Sequence, residues 1–129
     1  MTAAYANTNA RPVNLLPGKN FANTGGFGPW MMTKDEIGEL SQMTITTRLN
    51  GEVMQHATAD LLVHGFDELI EFCSTFIELE AGDVIVTGTP GGVGAARTPP
   101  VFMDQGDEIE VQVQPIGTLK NPVVNDVHG

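Results

Sequence analysis

The chain holds a single cysteine, Cys73, so no internal disulfide can form and packing and hydrogen bonds must hold the fold. A lone thiol fits a reducing compartment, and the cytoplasm is the expected one. Basic residues are scarce: six Lys and Arg face sixteen Asp and Glu, for a net charge of −10 at neutral pH. Arg11, Lys19, Lys34, Arg48, Arg97 and Lys120 are scattered and form no run. Phosphate neutralisation needs clustered cations, which argues against nucleic acid as a partner, and against an anionic membrane surface for the same reason. No apolar run approaches the length of a membrane span. The opening MTAAYANTNARP lacks a basic cluster followed by an apolar stretch, so no secretory leader is expected. Acids are absent from residues 1–34. Any carboxylate chemistry must come from Asp35 onward or from another chain.

What is present suits one folded domain. The chain has 129 residues, 41% of them apolar and 17% charged, within the range of soluble globular proteins. Residues 1–18 show no periodicity and read as irregular. Residues 18–30, GKNFANTGGFGPW, form a Gly-rich loop that holds Lys19, two Phe and the only Trp; its rings need a surface to cover, so it should pack over the core or line a cleft. Residues 42–50 alternate, with Met43, Ile45, Thr47 and Leu49 on one face. Asn50-Gly51 then predicts a type I′ hairpin turn into a return strand over 52–57. Phe66, Leu69, Ile70, Cys73, Phe76 and Ile77 fall at helical spacing and predict an amphipathic helix over 66–79, about four turns.

Residues 84–87, VIVT, predict a short buried strand. A Gly-rich loop, GTPGGVGAARTPP, follows. Residues 107–114 alternate with Ile109, Val111 and Val113 inward, and a turn leads to a last strand over 118–124. The expected class is mostly β with one amphipathic helix (α+β), its short strands and frequent turns suggesting a barrel or a rolled sandwich.

Three groups could carry chemistry. A strand running into Gly88-Thr89-Pro90-Gly91-Gly92 can present backbone N–H groups to an anion. The loop has no Gly-Lys-Ser/Thr and no following helix, so it is not a nucleotide P-loop. It reads either as a small-carboxylate site using Thr87 or Thr89, or as a tight structural turn. Lys19, among Phe21, Phe27 and Trp30, is either a partly desolvated chemical group or a surface lysine. Glu78 and Glu80 could chelate a hard cation from a strand, but at a helix end they would diverge into solvent. Asp107, Glu108 and Glu110 read as the solvated side of a strand. His56, His64 and His128 show no metal-ligand spacing, no Gly-x-Ser-x-Gly element is present, and Cys73 lies on the apolar helix face.

These pieces together resemble the fumarylacetoacetate hydrolase superfamily. The matching segments are GKNF at 18–21, GPWMMTKDEI at 28–37, LNGEVMQHATADLL at 49–62 and ELIEF at 68–72. They continue with LEAGDVIVTGTPGGVGAARTPP at 79–100, GDEIEV at 106–111 and IGTLKNPV at 116–123. The resemblance divides the chain into a divergent arm (1–16), the C-terminal part of a family-like domain (17–125) and a tail (126–129). It implies part of a mixed β-sandwich roll, usually dimeric. It also implies a Mg²⁺ or Mn²⁺ ion that chelates a 2-oxo acid, an enol or a 1,3-diketone, for C–C bond hydrolysis, decarboxylation or isomerisation. Lys19 matches the family's active-site lysine. Thr89, with Gly88 beside it, matches a substrate-binding threonine.

The chain departs from the family where the metal ligands belong. The family's Glu-x-Glu pair and Glu-His dyad lie upstream of any matching segment here. Its Asn-Asp-x-x-x-Arg-Asp stretch has its nearest counterpart in Ala6-Asn7-Thr8-Asn9-Ala10-Arg11-Pro12, which puts Asn7 at the aspartate. An amide offers an oxygen but no charge, so no metal ligand is assigned. The implied partners are a small carboxylate substrate and either a second copy or another chain that completes the domain. One alternative is a carboxylate-binding or structural oligomer without the chemistry, and another is a truncated gene product.

Two outcomes are expected. The isolated chain binds Mg²⁺ or Mn²⁺ no more tightly than roughly millimolar; a micromolar stoichiometric site in a calorimetric titration would contradict this. The chain also self-associates through exposed apolar surface or an unpaired sheet edge, and a stable folded monomer at high concentration in sedimentation would count against that.

Overall fold

The structure is a computed structural model that describes residues 25–125. Its scaffold is one antiparallel sheet built from two hairpins. The first joins β1 (Thr44–Leu49) to β2 (Glu52–Thr58), and the second joins β3 (Glu108–Gln114) to β4 (Gly117–Pro122). The strand order is β2-β1-β3-β4, so β1 and β3 form the central seam and β2 and β4 are the edges. Two helices accompany the sheet: a single turn, α1 (Lys34–Ile37), and the main helix, α2 (Phe66–Ser74). The class is mostly antiparallel β with one main helix, as the alternation and the Asn-Gly turn predict. Among the described residues no helix is long and apolar enough to cross a membrane.

The Asn50-Gly51 turn carries positive φ at both residues, 52° and 84°, the pair of angles a type I′ turn requires. Asn50 also ties this turn to the second hairpin. Its Nδ2 donates to Asp107 Oδ1 at 2.8 Å, and its Oδ1 accepts from the Glu108 N–H at 2.9 Å.

Strand alternation sorts the sheet into two faces. Cross-strand register places Ile45, Thr47 and Leu49 with Ile109, Val111 and Val113, and continues to Leu119 and Asn121 on β4. The opposite face carries a charged row, Arg48–Glu110–Lys120. Arg48 Nη1 donates to Glu110 Oε1 at 3.0 Å and to Gln112 Oε1 at 3.2 Å, while Lys120 Nζ reaches Glu110 Oε2 at 2.7 Å and Glu108 Oε1 at 3.3 Å. The Asp107-Glu108-Glu110 cluster is therefore cross-linked by hydrogen bonds to the turn and to cations, and is not simply solvated. Thr46, at the centre of β1, is 8% exposed and is the one buried residue among those described, its Oγ1 lying 2.9 Å from His56 Nδ1. No described hydrophobic side chain is fully buried.

Residues 26–30 lie over the apolar face at β4. A Cβ on Gly26 would meet the side chains of Leu119 and Asn121, and one on Gly117 would stand 3.0 Å from the Trp30 ring. This portion of the aromatic loop touches β4, but its rings stay largely open where burial was expected, with Phe27 78% and Trp30 62% exposed.

Two predicted elements are corrected. The helix ends at Ser74 and does not continue to Leu79. Ser74 Oγ donates to the Glu71 carbonyl and Thr75 Oγ1 to the Phe72 carbonyl, and the Thr75 and Phe76 N–H groups bond three residues back. Hydroxyls that compete for the last carbonyls, with tightened bonds, close the helix there. Residues 84–87 are irregular where a buried strand was predicted, with Val84 60% and Val86 85% exposed. A strand needs a hydrogen-bonded neighbour, and residues 84–87 make no backbone bond to any described residue.

Asn50→Ala keeps the chain in a left-handed conformation without the side-chain bonds, and should cost roughly 1–2 kcal/mol from the backbone alone. Asn50→Gly should recover the backbone part only. The hydrogen bond from Asn50, then that from the Asp104 backbone, holds the Asp107 carboxyl below its ordinary 3.8. A depressed folded value means stability that is present above the ordinary value and lost as pH falls through the folded one. The gap between wild type and Asn50→Ala in urea denaturation should therefore be widest near neutrality and narrow in acid to the backbone part; a gap independent of pH would count against this link.

Candidate functional site

The Gly-rich loop is held on the free edge of β2 by a bulge. Register runs Thr47↔Gln55 and then Arg48↔Val53, so Met54 has no partner in β1. An unmatched residue at an edge bends the strand and redirects its polar groups. The Met54 carbonyl accepts from Arg97 Nη2 at 2.6 Å, while Arg97 Nε donates to the Gly92 carbonyl at 3.2 Å. One half-buried guanidinium thus closes the loop on itself and fastens it to the strand.

Glycine is required where the loop touches the strand. Gly92 has φ +97°, and a Cβ there would run into the Met54 carbonyl oxygen. Gly94 packs equally closely on Val101, whose N–H donates to the Gly94 carbonyl at 3.0 Å.

Gln55 holds the front of the loop. Its Nε2 donates to Thr89 Oγ1 at 2.9 Å and to the Pro90 carbonyl at 2.8 Å. The register places Gln55 on the apolar face of the sheet, opposite Thr47, so Thr89 stands beside that face. Thr89 is exposed, as are Gly88, Gly91 and Gly92. Among the described residues none of the backbone amides of Gly88, Thr89, Gly91 and Gly92 bonds to another backbone group. The arrangement can donate several hydrogen bonds to a small anion. Arg97 adds a positive charge and makes no ion pair with any described carboxylate, in contrast to Arg48 and Lys120.

Of the candidates from sequence, Thr89 and Gly88 sit together on this clamped loop. Lys19 lies outside the described residues. Glu78 and Glu80 are exposed beyond the end of α2, where Glu80 N donates to Asp83 Oδ2 at 2.9 Å. Among the described residues no group of three or more His, Cys, Asp and Glu could hold a metal ion. Cys73 is half-buried on α2. A separate shallow cleft of about 260 Å³ lies near the start of β1, lined by Ile37, Glu39, Gln42, Met43, Gln114 and Pro115, and shares no residue with the loop.

Sequence reasoning passed over Gln55, Arg97 and the Met54 carbonyl. Two signals were available: a polar Gln on the apolar side of an alternating strand, and the single cation in a loop of glycine and proline. The bulge had none.

A small antiparallel β scaffold thus clamps a TGTP loop on the free edge of β2. The sequence model of the family described as fumarylacetoacetate (FAA) hydrolase C-terminal matches residues 1–124, and the chain belongs to that family. Mitochondrial oxaloacetate tautomerase FAHD2A of Bos taurus is 42% identical over 109 residues, which are 84% of this chain and 35% of that protein. Oxaloacetate tautomerase YisK of Bacillus subtilis is 43% identical over 106 residues, 82% of this chain and 35% of that protein. Among solved structures, a fumarylacetoacetate hydrolase from Exiguobacterium antarcticum superimposes with a TM-score of 0.74 at 39% identity, covering 78% of this chain and 36% of that one. The chain spans 35% of the length of these two relatives.

Gly92→Ala should release the loop. A Cβ against the Met54 carbonyl, with φ held positive, costs roughly 1–3 kcal/mol. Exchange of the bonded amides of Ala96, Arg97 and Val101 should accelerate while β1 and β3 stay protected; unchanged protection of these three would refute the clamp.

Proposed function

We propose that the chain is the carboxylate-binding portion of a fumarylacetoacetate hydrolase-type enzyme that acts on a 2-oxo acid, an enol or a 1,3-diketone. The observation that carries this reading is the exposed Thr89 on a loop fixed to β2 by Gln55 and Arg97. Relatives named as oxaloacetate tautomerases point to a 2-oxo dicarboxylic acid as the substrate class.

The hydrolysis, decarboxylation and isomerisation implied for the family all pass through an enolate next to a carboxylate. Thr89 and the loop amides would hold that carboxylate. Lys19 would stabilise the developing negative charge, which is the role of a preorganised cation beside an oxyanion. Arg97 would lend the loop a positive field in a chain of net charge −10.

Family membership brings the expectation of a divalent metal, Mg²⁺ or Mn²⁺. The described residues do not fit one, because they contain no group of three or more possible ligands. The carboxylates for such an ion would come from elsewhere in a longer protein or from a partner chain. A second copy or a completing chain is the proposed partner. Large apolar side chains left open on and after α2, among them Ile70, Phe72, Phe76 and Ile77, favour such a contact. The same open surface favours the second reading, a carboxylate-binding or structural oligomer without chemistry. The cytoplasm remains the proposed compartment; the bovine relative's name places that protein in mitochondria.

Oxalate or pyruvate should bind weakly, with a contribution of roughly 1.5–3 kcal/mol from each charge-assisted contact. Thr89→Val and Lys19→Ala should each abolish detectable binding in a titration followed by amide shifts. Lys120→Ala should leave binding intact, since Lys120 is engaged with Glu110 and Glu108 on the opposite face. Equal losses from Lys19→Ala and Lys120→Ala would sink the assignment.

A further inference from the structure

We infer that Gln55 is a positioning residue that holds the Thr89 hydroxyl with its proton free to donate to an anion on the loop. This rests on the reading of Thr89 as a ligand contact and adds the residue that sets its polarity.

The argument starts from the Pro90 carbonyl. A carbonyl oxygen can only accept, so the Gln55 atom 2.8 Å from it must be the amide nitrogen. That assignment fixes the whole carboxamide, because its oxygen then lies on the other side. The same nitrogen stands 2.9 Å from Thr89 Oγ1. It carries two hydrogens, one for each partner, so the Thr89 oxygen accepts. A hydroxyl that accepts from a fixed amide keeps its own proton free. Thr89 is exposed and donates to no other described residue, so the proton is directed to solvent or to a ligand.

A free hydroxyl can turn to meet either a donor or an acceptor. With the Gln55 amide beside it, Thr89 offers a proton, as the loop amides do. That proton joins the loop amides as a donor to a carboxylate oxygen. Gln55 itself is anchored by the strand, next to the bulge whose Met54 carbonyl holds Arg97. The loop's position and the polarity of its hydroxyl are therefore set by neighbouring residues of one strand.

The test uses the full chain, potassium oxalate and three variants: Thr89→Val, Gln55→Ala and Gln55→Glu. The last keeps the side-chain shape but replaces the donor with an acceptor, which captures the Thr89 proton. Folding is followed in the amide spectrum. Three-bond couplings of the Thr89 methyl report its rotamer without any ligand. In the wild type they should show one rotamer, and in Gln55→Ala an average over several. Oxalate affinity should fall about tenfold in Gln55→Ala, the loss of one modest hydrogen-bond contribution, and further in Gln55→Glu.

Wild-type affinity in Gln55→Glu, with Thr89→Val still defective, overturns the role of Gln55 and leaves Thr89 as a ligand contact. Wild-type affinity in Thr89→Val, or no oxalate binding by the wild type, overturns the reading of Thr89. The role of Gln55 then falls or stands with the couplings, and a Thr89 rotamer unchanged by Gln55→Ala overturns it.

Discussion

The hydrogen bond from Arg97 to the Met54 carbonyl joins the least regular part of the chain to the most regular. Residues 88–100 hold four glycines and three prolines and have little means of holding one shape by themselves. The strand supplies the shape. Because Met54 is the extra residue of a bulge, its carbonyl stands clear of the ladder with β1, and a guanidinium with several donors can reach both it and Gly92. Removing the bulge would return that carbonyl to the strand and leave Arg97 to solvent. The glycines at 92 and 94 belong to the same arrangement, since each lies where backbone meets backbone too closely for a Cβ.

Charge is distributed in a way that serves this loop. Arg48 and Lys120 are both engaged with Glu110 on the face that carries the charged row. The hydrogen bond from Lys120 is the main cause that holds the Glu110 carboxyl below its ordinary value, and that bond likewise raises the Lys120 amine above its own. Their fields largely cancel. Arg97 bonds only to neutral carbonyls, so its charge stays uncancelled by any described carboxylate.

The hairpins were legible in the sequence for local reasons. Period-two alternation and Asn50-Gly51 encode β1, β2 and the turn within a few neighbouring residues, and the same holds for Ile109, Val111 and Val113 in β3. The fragments that carry family resemblance, TGTP above all, were legible because their composition is unusual. Three features were not. The helix stop depends on Ser74 and Thr75 choosing backbone carbonyls over solvent, which periodicity does not register. Residues 84–87 have the composition of a strand, but a strand is a relation between two segments, and no described segment pairs with them. The role of Gln55 arises from the contact between residues 55 and 89, and no local pattern records a contact between such distant positions.

The two hairpins meet along the β1–β3 seam, where Thr44 faces Gln114. Everything between the end of β2 at Thr58 and the start of β3 at Glu108, including α2 and the TGTP loop, is one excursion that leaves the sheet and returns to it. The entropy of closing such an excursion grows only with the logarithm of its length, so doubling it costs about 0.6 kcal/mol. The scaffold is thus nearly indifferent to how much chain is inserted between its two halves. New helices, lids or specificity loops could be added there at little thermodynamic cost, provided that Gly92 and Arg97 still return to the edge of β2.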